Sequence, residues 1–278
     1  MSLTYSKTVF WHNFLGFLTN LTQTPDNRCQ AMFTTGQTRK FQHDLGLASI
    51  LSMAAGAVNS ASFFAFDVLT TNVTGHVAVL ANEIVAYRWQ ASYMKLVWMF
   101  AFLFGSFCSG LLVDLIGRKH PRFAHSLPLV LVILILLNVA YFGDHHYDYS
   151  DEMIQVFAGS LLLAMGLQNG TVTQVSGSVI RTTHLTGLFT DIGIEAAKLI
   201  TKPIEESQSK LQRKFILHVV IVLCFFIGAI GGGFLFSKYL FKAFAAPSLF
   251  LLFAIIYDIA DYRASKIQKA IHQEYEKQ

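Results

Sequence analysis

Charge is scarce in this sequence. Asp, Glu, Lys and Arg make up only 14% of its 278 residues, against the roughly 25% usual in a soluble domain. A chain so poor in charge, and 53% hydrophobic, falls outside the soluble globular class and reads as an integral membrane protein. Cysteine is scarce too. Cys29, Cys108 and Cys224 lie far apart, with neither a metal-binding spacing nor a disulfide framework, and the last two fall in apolar runs where a thiol serves as a small hydrophobe. Signatures of chemistry are also missing. With no H-E-x-x-H, G-x-S-x-G or Walker sequence, the chain reads as no enzyme and no self-contained ATP-driven pump, with no cofactor and no metal. The opening MSLTYSKTVFWHNFLGFLTNLTQ lacks a basic start, a continuous apolar core and a small-residue cleavage site, which argues against a removable signal peptide.

What is present is apolar length. Runs at roughly 45–66, 94–116, 126–143, 153–176 and 215–237, with a shorter sixth near 246–260, approach the ~20 residues that cross ~30 Å of hydrocarbon. Gly and Asn interrupt several of them, which fits helices better than barrel alternation. The formal charge of +4 comes from basic residues beside spans, where they set orientation rather than bind nucleic acid. The expected partners are the lipid bilayer and a small solute, with no nucleic acid and room for a homo-oligomer.

One polar hexad is written twice, TTNVTG at 70–75 and TTHLTG at 182–187. Identities surround it at nearly constant offset: Gly56-x-x-Asn59 and Gly166-x-x-Asn169 lie 110 residues apart, Glu83 and Glu195 lie 112 apart, and the runs holding Gly105 and Gly228 lie 123 apart. The offset changes only in polar connections, where a duplicated fold accepts insertions. Each copy reads as a long helix, the hexad, a short helix, a long helix rich in small residues and a final helix. The short segments, about 75–87 and 187–199, are too short to span and read as half-helices or re-entrant segments.

Positive charge then selects a topology. If the short segments do not cross, Arg39, Lys40, the loops 117–125 and 198–214, and Arg263, Lys266 and Lys269 share the cytoplasmic face, while the acidic stretch 143–152 lies outside. Lys238 and Lys242 on the outer face count against it. The expectation is an all-α polytopic membrane protein of about six spans in two inverted three-span repeats. It has a cytoplasmic extension at 1–42, repeats at 43–145 and 151–261, and a cytoplasmic tail at 262–278.

A half-helix beginning at Thr74-Gly75 or Thr186-Gly187, with Thr as the cap, aims its positive end at what precedes it. Two such ends converging near the midplane suit a polar or anionic solute. The candidate site is Asn59, Thr71, Asn72, Thr74, Gly75, Gln168, Asn169, Thr183, His184, Thr186 and Gly187. Glu83 and Glu195 are the candidates for proton or ion coupling, since intramembrane carboxylates need a reason; Glu195 also has Lys198 one turn on. These residues point to a secondary transporter or permease. The alternative is a scaffold or sensor whose hexads only cap helices, and the Gly and Ser residues of the third spans read as close helix packing.

GAVN, TNVTG, GLQN and above all RTTHLTG resemble the YoaK-like family of bacterial membrane proteins, a domain of unknown function, over roughly residues 45–260. Members often carry Asp after the first helix's Gly, where this chain has Asn59. The resemblance implies a multi-pass protein of the bacterial inner (cytoplasmic) membrane with about six spans, and it supplies no substrate.

Overall fold

In hydrocarbon every backbone N–H and C=O must find its partner within the protein, so a crossing apolar run folds as helix. The computed structural model describes residues 41–117, 126–146, 150–175, 183–201 and 207–256, and its regular elements are all helical. They are α1 (Phe41–Phe66), α2 (Val73–Val85), α3 (Trp89–Gly117), α4 (Ser126–His146), α5 (Asp151–Val175), α6 (Leu185–Thr201) and α7 (Ser207–Tyr239). A 3-10 turn, Leu240–Phe244, leads into α8 at 245–256. Nearly all of the N-terminal extension, the C-terminal tail and most of the loop 117–125 lie outside the described residues.

Five helical stretches are long and apolar enough to cross a bilayer: Leu45–Phe66, α3, Ser126–His145, Asp151–Gln174 and Lys210–Ile256. The last holds two expected spans. Its 47 residues would form a straight rod of about 70 Å, and the 3-10 turn, entered with Leu240 at a φ of 49°, breaks it. Phe241 and Phe244 of that turn are buried with Phe66, Phe157 and Phe236. α2, with 13 residues, is only about 20 Å long.

The long helices pair across the two halves of the sequence, α1 with α7 and α3 with α5. Gly228 packs on Met53, Gly232 on Ala57 and Gly233 on Ser60 and Phe64, so α1 and α7 run in the same direction. Gly105 packs on Leu163, Gly170 on Ser106 and Ser109, and Gly110 on Gln174, so α3 and α5 also run together. α1 opposes α5: Phe66 stacks on Phe157 with centroids 6.1 Å apart, while Gln168 Nε2 donates to the Leu51 carbonyl at 2.8 Å. Phe66, at the end of α1, therefore lies at the same end of the bundle as the start of α5. Trp89, opening α3, shares a crevice there with Asp151 and Ile154. The chain between α1 and α3 leaves and returns at one end, and α6 sits between an end of α5 and a start of α7 at the other.

Burial follows this arrangement. Leu47, Leu51, Ala54, Ala55 and Val58 of α1 are fully buried, as are Leu161, Leu162 and Met165 of α5. α3 instead exposes Phe104 and Phe107, and α7 exposes Ile227 and Ile230 at the equivalent positions, a surface suited to acyl chains.

Candidate functional site

The hexads are held to the helices before them by their own polar residues. Asp67 ends α1 at a φ of 56°, a left-handed conformation that Asp tolerates better than most residues, and the chain folds back along α1. Thr71 then donates to Asn59 Oδ1 from its N–H (3.1 Å) and its Oγ1 (2.9 Å). The second copy repeats this, with Thr183 Oγ1 donating to Asn169 Oδ1 at 3.0 Å. Ser62 adds bonds to Val68 and Thr70 in the first copy.

The short helices begin two residues before the positions expected from the sequence. Asn72, not Thr74, caps α2: its Oδ1 accepts from the Gly75 N–H at 2.9 Å, and its carbonyl from His76 N at 3.2 Å. In α6 the His184 carbonyl accepts from Leu188 N at 3.1 Å, which places His184 at the same step. An Asn side chain reaches the third N–H of a helix as well as Thr does, and the sequence pattern alone does not separate the two registers.

Both hexads line one cavity of about 790 Å³. Its polar wall comes from Asn59, Thr71, Asn72 and Thr74 in the first half and from Thr183, His184, Thr186 and Gly187 in the second. The opposite wall is apolar, mainly Leu96, Met99, Phe100, Phe102 and Leu103 of α3 with Phe225 of α7, and Ser106 lies at their edge. The N-terminal, positive ends of α2 and α6 meet this space. Eight of the eleven expected site residues are thus brought together.

Three are not. Gly75 gives its N–H to the Asn72 cap, Gln168 is buried as a tie between α5 and α1, and Asn169 holds Thr183 from behind. A polar residue in an apolar helix can face a ligand or a neighbouring helix, and for Gln168 the Leu51 carbonyl is that neighbour. The α3 wall was invisible because Phe and Leu there match the lipid-facing composition of any span. Ser106 read as packing, and it does pack, donating to the Gly166 carbonyl at 3.1 Å.

Neither carboxylate lines the cavity. Glu83 Oε2 lies 2.6 Å from Arg88 Nε. Glu195 does not turn to Lys198: its Oε2 lies 3.1 Å from His218 Nδ1 and its Oε1 lies 3.4 Å from Lys214 Nζ, an ion-pair distance without hydrogen-bond geometry. Sequence reasoning missed His218, whose signal was an imidazole inside the apolar run of α7. No cluster of metal-binding side chains occurs among the described residues.

No curated protein and no solved structure matches this chain. A family model does, over residues 47–257, a range that takes in both hexads, both short helices and every residue of the cavity. The chain belongs to the family described as a protein of unknown function, DUF1275.

Proposed function

We propose that this protein is a secondary transporter or permease for a small polar or anionic solute, bound between the two hexads. The observation that carries this reading is the shared cavity: motifs 112 residues apart in sequence supply one polar wall. An apolar floor with a few convergent polar groups is the ordinary composition of a small-molecule site, and inverted half-helices meeting at a midplane site are the way many transporters build one.

The architecture proposed with it has six spans in two inverted copies, α1, α3 and α4 against α5, α7 and α8, with α2 and α6 re-entrant. The parallel pairs α1–α7 and α3–α5, and the opposed directions of α1 and α5, support it. So does Lys242, one of the two outer-face charges that count against this orientation, because its Nζ pairs with Asp144 Oδ2 at 3.0 Å. The resemblance to YoaK-like proteins supports placement in a bacterial inner membrane. The role is non-enzymatic, and the partners are the bilayer and the solute.

The test is uptake of a panel of small polar and anionic solutes by liposomes holding the purified protein. Saturable uptake that Gly187→Val abolishes is the expected result. A panel indistinguishable from protein-free liposomes rejects transport and favours the scaffold or sensor reading. The Asn72 cap is the observation in favour of that second reading, because it shows a hexad residue occupied with structure.

A further inference from the structure

The two halves differ most around their carboxylates. Glu83 and Glu195 are equivalent in the repeat, and Lys95 and His218 are too, lying 123 residues apart like Phe102 and Phe225, whose carbonyls receive Gly166 and Gly56. In the first half Glu83 is paired with Arg88, whose guanidinium does not deprotonate in proteins. Lys95, the residue at the histidine's position, lies over the Trp98 ring at 4.0 Å. The carboxylate of the first half is thus paired with a permanent cation.

In the second half an imidazole replaces the ammonium. The side chains of Glu195 and His218 are 5% and 3% exposed and touch at 3.1 Å, while Lys214, at 56%, joins them to the surface. α6 packs on α7. Besides the three members of the cluster, the charged residues of these two helices are Asp191 and Lys198 on α6 and Lys210, Arg213 and Lys238 on α7, all five exposed, and α1, which also packs on α7, carries His43 and Asp44 in its first turn. Burying a carboxylate costs several kcal/mol unless it is paired, and histidine is the side chain whose ordinary charge change falls between about pH 5 and 8.

We propose that Glu195 and His218 form a buried proton-binding site, with Glu83 and Arg88 as its non-exchanging counterpart. Nδ1–H of the ring donates to Glu195 Oε2, and the exchangeable proton is taken up from water on Nε2. Only that N–H bond forms or breaks. With the proton bound, Glu195, His218 and Lys214 together carry one positive charge; without it they are neutral, and Lys214 still compensates the carboxylate. Neither Glu195 nor His218 lines the cavity, so the site is tested without a solute and stands apart from the transport reading.

The experiment is infrared difference spectroscopy of the full chain in lipid nanodiscs, between about pH 8 and pH 5. In the unsubstituted protein, imidazole bands of His218 and a carboxylate band of Glu195 change together. His218→Gln should remove both, Glu195→Gln the carboxylate band, and Glu83→Gln neither. A Glu195 band that survives His218→Gln, or a starting spectrum with no band that either substitution removes, overturns the proposal. Size-exclusion elution checks folding. If His218→Gln does not fold, His218→Asn, smaller and still a donor to Glu195, takes its place, and the spectrum of the unsubstituted protein decides by itself whether the bands exist.

Discussion

Gly75 and Gly187 occupy the same step of α2 and α6, yet a side chain added at each would meet different surroundings. At Gly75 a Cβ would press on the Asn72 amide that caps α2, whereas at Gly187 nothing lies within 4 Å. Gly187→Val therefore fills cavity space without disturbing the fold, and it should abolish solute binding at unchanged membrane abundance. Gly75→Val should instead displace the cap and cost about 1 kcal/mol, read as a lower unfolding midpoint in detergent. Loss of Gly187→Val from the membrane would transfer that position from binding to packing. Asn169→Ala removes the acceptor of Thr183 and should cost ~1 kcal/mol while leaving the cavity wall chemically intact. Recurrence made the hexads legible in the sequence, because two matched copies of three Thr and a Gly outweigh one chance match. The duties of Asn59, Gln168 and Asn169 were not legible. Hydrogen-bond partners 12 to 117 residues away are set by helix packing, which the local sequence does not encode.

The helices are brought together by glycine in the same way twice. A Cβ at Gly56 would strike the Phe225 carbonyl, and one at Gly166 would strike the Phe102 carbonyl; Gly228 and Gly105 stand in the same relation to Met53 and Leu163. In a bilayer, close backbone approach replaces the hydrophobic drive that packs helices in water, so these positions set how near α1–α7 and α3–α5 can come. Gly166→Ala forces α5 away from α3 and should destabilise the protein by roughly 1–3 kcal/mol. Gly231, with nothing within 4 Å, should accept Ala without loss, since Ala is the better helix former, and equal losses at the two positions would show that close backbone approach is not what is being measured. The spans were legible as elements because ~20 apolar residues need no neighbour to declare themselves. Their pairing was not. The offsets of 110 and 123 residues said which helices correspond, but correspondence does not say that α1 takes α7 as its partner instead of α3.

For the molecule as a whole, the question is which ends of the helices share a face. The start of α3 lies with the end of α1, and the start of α7 lies with the end of α5, so the polar connections divide into two sets. One set carries Asp144, Lys242 and the acidic start of α5, where Asp151 and Glu152 stand in the first turn. Within it, Lys242 is neutralised by Asp144. The other set carries the basic stretches 117–125 and 198–214, and the proposed topology puts it on the cytoplasmic side because of its excess of Lys and Arg. Single cysteines placed one at a time in these two stretches, in a background lacking Cys29, Cys108 and Cys224, should both be protected from a membrane-impermeant reagent in intact cells, while one placed at Tyr147 should be labelled. Labelling at only one of the two basic stretches would mean that α6 crosses the membrane, and if α2 crosses as well the two copies have the same orientation. Helix starts pointing the same way cannot face each other across a midplane, so that outcome would remove the geometric basis for a shared site even if both hexads remained well capped.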